Sequence, residues 1–259
     1  MKTTVLEKKG PEMTFVLDGA DIALANSLRR IMISEVPTMA VHWIDVHHNN
    51  SALFDEVISH RMGLIPIKFD PKKFSFSEDC KCKGKGCPLC QVAFIIDKKG
   101  PCVVKSGDMK SSDKKVEPAD PGVPIVELLE GQKIKLEAVA RMGKGIDHSR
   151  HQAANATYQY YPEIKVTGGS VAVKAAVSKC PDGAVTAKGT KIEIKDLSKS
   201  DIIRSCLGEA EGVDVKGNEN KLIFRVESIS GLDPEDIVIK AADILMEKAE
   251  EFKKKLSKV

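Results

Sequence analysis

Between residues 21 and 46 the spacing of apolar side chains switches from that of a helix to that of a strand. Leu24, Leu28, Ile31 and Met32 recur at i, i+4, i+7 and i+8, which sets them on one helical face. Asn26, Arg29, Arg30 and Ser34 fall largely away from that stripe. Asp21 predicts the N-cap, because its carboxylate can accept from free N–H groups of the first turn. Pro37 disfavours helical geometry at Val36 and stops the helix. Met39, Val41, Trp43 and Asp45 then alternate with Ala40, His42, Ile44 and Val46, a strand with one mostly apolar and one mixed face.

The same reading extends to both ends. Residues 3–5 and 13–17 predict an antiparallel hairpin turning at Lys8-Lys9-Gly10-Pro11. Residues 51–60 predict a short helix with Leu53, Val57 and Ile58 on one side, and residues 60–67 a loop running into a short extended segment. Strands are expected at 92–96, 102–104, 125–129 and 133–140, with the polar stretch 105–122 as a loop. Residues 185–187 and 191–194 predict a hairpin about Gly189, 200–209 a helix and 221–228 a strand. Asp233-Pro234-Glu235 opens a long closing helix, with Asp at the N-cap, Pro at the first position and acids in the first turn. Ile237, Ala241, Ile244, Leu245, Lys248, Ala249, Phe252 and Leu256 recur at three- and four-residue spacing, and lysines 253, 254, 255 and 258 suit the dipole at its end. A helix of roughly two dozen residues with one apolar side needs a surface to pack on.

Composition narrows the class. At 259 residues, 42% hydrophobic and 30% charged, the chain suits one large or two modest globular domains. A net charge of +3 without a long basic run, and 5% aromatic residues, give no argument for direct nucleic-acid binding. No apolar run reaches the roughly 18 residues of a membrane span, and MKTTVLEKKG lacks the apolar core of a secretory signal. Seven cysteines, four of them crowded together, therefore point to metal rather than disulfides, and to a reducing, cytoplasmic setting.

The crowded four are Cys80, Cys82, Cys87 and Cys90, in C-K-C-K-G-K-G-C-P-L-C. Two close pairs on a Gly-Lys-Gly loop can supply a tetrahedral zinc ion with four thiolates, a closed and hence structural site. Lys81, Lys83 and Lys85 would favour the thiolate forms. The competing reading is a run of unbound thiols in an exposed loop. Cys102 reads as packing. His148 and His151 stand as H-x-x-H with no third ligand nearby, so residues 145–162 read as a packed or partner-facing loop.

Residues 170–181 carry a different frame. A bacterial-type ferredoxin run is C-x2-C-x2-C-x3-C-P. Counting back from Cys180-Pro181, its ligand positions hold Ser170, Val173 and Ala176. A second register ending at Cys206 holds Asp196, Lys199 and Ile202. Ser, Val and Ala supply no thiolate, so a ferredoxin-like segment without an iron–sulfur cluster is expected. The alternative is an ordinary helix with no such history.

NSLRRIMISEVPTMAV, followed by HWIDVHHNNSALFDEVISHRMGLIPI, resembles the alpha-type assembly subunits of multisubunit RNA polymerase. The match runs over N-x-L-R-R, a Pro stop, a strand, and then Glu56, His60, Arg61, Gly63, Ile65 and Pro66. That family takes in the bacterial alpha subunit and its eukaryotic and archaeal counterparts. The cysteine loop and the ferredoxin-like frame look most like the archaeal branch. The family's segment before a later strand carries a Trp where this chain has Ala153 or Ala154.

The resemblance implies an α+β fold. A discontinuous dimerisation domain (1–46 and 221–259) would hold an inserted β-rich domain (47–165 and 212–220) and a ferredoxin-like insert (166–211). It implies a non-catalytic subunit that pairs with the smaller alpha-like subunit L and then receives the large catalytic subunits, with small subunits nearby and DNA contact only indirect. Leu24, Leu28, Ile31, Ile237, Ile244, Leu245 and Phe252 would bury the heterodimer interface or the core beneath it. Arg29 and Arg30 would meet carboxylates or carbonyls of a large subunit. No nucleophile–His–acid set, phosphate loop or acidic magnesium motif is legible. A ferredoxin-type electron carrier is the reading of another class, and a colourless purified protein would count against it.

Overall fold

A computed structural model describes residues 1–257. In chain order the strands and helices begin with β1 (Lys2–Lys9), β2 (Glu12–Asp18), α1 (Ile22–Ser34), β3 (Thr38–Asn49), α2 (Asp55–Gly63) and β4 (Ile67–Lys68). Then come β5 (Gln91–Lys99), β6 (Cys102–Lys105), β7 (Lys110–Ser111), β8 (Glu117–Pro118), β9 (Pro124–Leu128), β10 (Lys133–Gly143) and β11 (Ala154–Val166). The chain closes with α3 (Ser170–Ser178), β12 (Val185–Lys188), β13 (Lys191–Ile194), α4 (Ser200–Gly208), β14 (Val213–Ser228) and α5 (Pro234–Leu256). This is a mixed α and β chain with several antiparallel sheets. Its described residues group into two compact units, 1–26 with 157–225, and 27–156 with the chain from 226 onward.

The first unit holds a sheet ordered β1-β2-β14-β11. Strand β2 buries Met13, Phe15, Val16 and Leu17, and Phe15 stacks on Phe224 of β14 at 5.1 Å. Two features here depart from the expected elements. Strand β14 begins at Val213 rather than 221, and β11 replaces much of the loop expected at 145–162. Gly217 explains the first. It looks like a strand breaker, yet a Cβ there would lie 2.6 Å from Cβ of Tyr160 on β11. The glycine marks a close approach inside the sheet, not its end.

The hairpin β12–β13 and helices α3 and α4 share a small core of Ala176, Ala184, Val185, Ile203 and Leu207. Helix α3 spans the ferredoxin-type frame. Val173 and Ala176 are fully buried on it, while Ser170 is exposed at its start. Cys180 and Cys206, which close the two registers, are joined by a disulfide across 26 residues. The expectation that the cysteines serve metal rather than disulfides is corrected for this pair: the α3 and α4 ends place the two Cα atoms 5.3 Å apart, within bridging distance.

The second unit is built on a sheet ordered β3-β10-β5-β7. Its core face carries Met39 and Val41 from β3, Val92, Phe94 and Ile96 from β5, and Ile134, Leu136, Ala138 and Ala140 from β10. Ile58 and Met62 of α2 pack into the same core. Helix α2 starts at Asp55, later than expected, and runs through Gly63, where a loop was expected. Asn49 and Ser51 explain the late start. The Asn49 side chain accepts from Ser51 N–H at 3.0 Å and donates to Leu53 O at 2.9 Å, a side-chain-closed turn that competes with helix.

The disulfide gives a direct test of the first unit. Closing a 26-residue loop stabilises by about 3.5 kcal/mol in the chain-entropy relation. Phosphine reduction is therefore expected to lower the stability of residues 157–225, followed by hydrogen exchange at α3 and α4. Cys206→Ser should show the lowered protection already and no further response to reductant. Equal protection with and without reductant would contradict the bridge.

Candidate metal centre and assembly surface

The loop before β5 gathers its four cysteines by backbone turns. Lys83 N–H donates to Cys80 O at 2.8 Å, Lys85 N–H to Cys82 O at 3.2 Å, and Cys90 N–H to Cys87 O at 3.0 Å. Lys83, Gly84 and Gly86 all take positive φ, at 51°, 78° and 89°, and glycine carries most of this left-handed turn. The sulfurs of Cys80, Cys82, Cys87 and Cys90 lie within 4.8 Å of one another. Cys80–Cys87 and Cys82–Cys90 are 3.5 Å apart and Cys87–Cys90 3.8 Å. A tetrahedron with metal–sulfur legs of about 2.3 Å has edges of about 3.8 Å. The donor set is therefore compatible with a metal ion held by four thiolates.

The thiols compete for charge. Burial works against the Cys82 thiolate, but hydrogen bonds from Cys90 and Cys80 hold its pKa down to about 6. Burial pushes Cys90 up to about 12. The causes are burial, neighbouring sulfurs and backbone N–H groups, and Lys81, Lys83 and Lys85 are not among them. A bound dication would remove the competition by stabilising all four thiolates together.

Helix α1 starts as its sequence dictates, with Leu24 N–H donating to Asp21 Oδ1 at 2.7 Å. On it Ile31 and Met32 are buried, Leu24, Leu28 and Arg29 are half-buried, and Arg30 is exposed. Helix α5 divides along its length. Ile237 and Ala241 are buried within the chain and Ile244 and Leu245 half-buried, while Met246, Phe252 and Leu256 are exposed, Phe252 by 65%. Lys248 pairs with Glu35 at the end of α1. Its later half thus presents apolar side chains that no described residue covers.

The motif quoted from α2 is structural at several points. Arg61 donates to Ile125 O at 2.8 Å, and Ile65 is buried. Glu56 and His60 line a groove of about 600 Å³ with Ile44, Val46, Leu64 and Arg150. Sequence reading missed the role of Arg150, whose Nη1 donates to the carbonyls of Val41 at 2.9 Å and His42 at 3.1 Å. Only long-range pairing gives it this role, so no local pattern could have found it. His151 is buried beside it, and burial, then the Arg150 charge, lowers its pKa to about 4. Its ring lies close against Gly143 as a packing element, whereas exposed His148 caps the short turn that follows, its Nδ1 accepting from Arg150 N at 3.1 Å.

No helix is long and apolar enough to cross a membrane among the described residues. Residues 14–249 match the RNA polymerase Rpb3/Rpb11 dimerisation domain. The chain is 38% identical to the DNA-directed RNA polymerase subunit Rpo3 of Archaeoglobus fulgidus, covering 98% of this chain and 97% of that one. It is 37% identical to the same subunit of Methanosarcina acetivorans over 97% of both chains. Against that of Pyrococcus furiosus it is 34% identical, over 100% of this chain and 98% of the other. With an apolar helix face left open, a four-thiol loop and these matches along nearly its whole length, the chain belongs to the Rpb3/Rpb11 dimerisation-domain family of RNA polymerase subunits, in its archaeal Rpo3 branch.

Proposed function

We propose that the chain is the non-catalytic assembly subunit of an archaeal DNA-dependent RNA polymerase. It pairs with the smaller alpha-like subunit L, and the pair forms the platform on which the large catalytic subunits join. The single observation that carries this is the uncovered apolar face of α5. Phe252 and Leu256, on one side of the helix with half-buried Leu245, are exposed in a helix whose first half is anchored in the core. Exposed apolar stripes of this length mark protein–protein surfaces. The discontinuous division, with 1–46 and 221–259 as the dimerisation domain, 47–165 and 212–220 as the β-rich insert and 166–211 as the ferredoxin-like insert, belongs to this reading. So does the role of Arg29 and Arg30 toward a large subunit.

Zinc is the metal this donor set suits best, because four thiolates in tetrahedral array are its usual structural site. Residues Cys80, Cys82, Cys87 and Cys90 would hold it and it would tie the loop to the start of β5 at Gln91. Chain purified without chelator is expected to carry about one zinc per molecule by elemental analysis. Cys82→Ser with Cys90→Ser should carry none, and the 80–90 loop should become protease-sensitive. Metal-free wild-type protein would rule the site out.

Burying a Phe side chain contributes roughly 1.5–3 kcal/mol, and a carboxylate left there without a partner costs more. Phe252→Asp, at a side chain exposed in the single chain, should therefore leave folding intact and weaken pairing with subunit L by about 100-fold or more. Arg29→Ala with Arg30→Ala should pair normally with subunit L and fail to recruit the large subunits. Pull-downs against subunit L, then against the large subunits, separate the two outcomes. Unchanged pairing of the Phe252 variant would remove the α5 face from the interface.

A further inference from the structure

The sheet β3-β10-β5-β7 has a second face, opposite its core. Alternation along β10 sends Lys135, Glu137, Val139 and Arg141 to it, since Ile134, Leu136, Ala138 and Ala140 lie in the core. Register places Trp43, Val139 and Ala93 side by side on one rung, and Asp45, Glu137 and Ile95 on the next. Trp43 is the chain's one tryptophan. The Arg141 guanidinium lies 4.1 Å from its ring centroid and donates to Gln91 Oε1 at 3.3 Å. The cross-strand neighbour of Trp43, Val139, is only 6% exposed. Trp43 keeps 38% of its surface open and Ile95 48%. An indole braced by an arginine on an open sheet face is the residue type that anchors protein interfaces.

The charges beside that anchor are arranged for a visitor. Asp45 and Glu137 stand directly opposite each other on neighbouring strands, where like charges destabilise a sheet. Neither carboxylate has an ion-pair partner among the described residues. A cationic side chain set between them would relieve the repulsion, while Trp43 and Ile95 would cover its aliphatic stem. Nucleic acid fits badly, because the carboxylate pair would repel its phosphates.

We propose that this face is a second docking surface for a basic segment of another polymerase subunit, with an Arg or Lys seated between Asp45 and Glu137. The proposal rests on the assembly reading above and concerns a surface separate from the open half of α5. Hydroxyl-radical footprinting at Trp43 and Ile95 tests it, comparing the free full-length chain with polymerase purified through a tag on this chain. Oxidation of both residues should fall about tenfold in the assembled enzyme. In polymerase carrying Asp45→Lys with Glu137→Lys, that protection should be lost, while the near-isosteric Asp45→Asn with Glu137→Gln controls for folding and should lose part of it. Trp43 and Ile95 equally reactive in free chain and intact polymerase would overturn the docking surface and leave the assembly reading standing. Protection that survives the charge reversal would overturn the basic occupant. A chain that never enters a polymerase would overturn the assembly reading, and this surface with it.

Discussion

The hydrogen-bonded seating of β10 between β3 and β5 is the constraint on which the second unit depends. Its residues pair with β3 from Ile134 to Gly143 and with β5 from Lys133 to Arg141. Because side chains alternate along a strand, that pairing sorts two surfaces at once. Ile134, Leu136, Ala138 and Ala140 go to a core shared with α2, and Glu137, Val139 and Arg141 go outward. A one-residue slip would exchange the two sets, so the apolar alternation and the register hold each other in place. The rest follows along the strands. β5 begins at Gln91, directly after Cys90, so the four-thiol loop is fixed at the start of an inner strand. β3 follows α1 after a three-residue turn, so the helix bearing Arg29 and Arg30 inherits its direction from the same sheet.

The chain has one disulfide cross-link and one loop with a candidate metal-ligand set, and each suits its surroundings. The cysteine loop has little apolar content to bury, and four thiolates around one ion would supply what a core cannot. The α3–α4 segment has a core of mostly small side chains and a disulfide across it. Val173 and Ala176, at positions that a ferredoxin-type run gives to ligands, are fully buried core residues of α3. Apolar packing and one covalent bridge hold this segment together. The expectation that the cysteines serve metal rather than disulfides failed for this pair because spacing along the chain cannot report that the ends of two helices 26 residues apart meet.

Local patterns carried much of the fold. The Asp21 cap, the Pro37 stop, the first hairpin and the Asp233-Pro234 start of α5 all depend on neighbours in sequence, and the structure has each of these elements. What stayed hidden depended on partners far away. Gly217 reads as a break until Tyr160 is beside it. Arg150 reads as a loop cation until the Val41 and His42 carbonyls receive it. The candidate metal site was legible because all four donors lie within eleven residues of chain, 80–90. On α5 the apolar spacing is plain from the residues alone, but only the fold separates Ile237, buried in the chain, from Phe252, left open.

On the assembly reading, the open half of α5 is covered by another subunit. Hydrogen exchange across residues 244–256 tests it most directly, measured on the chain alone and on the chain co-purified with subunit L. Amides around Met246 and Phe252 are expected to exchange markedly more slowly in the pair, with a one-to-one mass by native mass spectrometry. Identical exchange in both samples, with the chain remaining alone at the same concentrations, would contradict it.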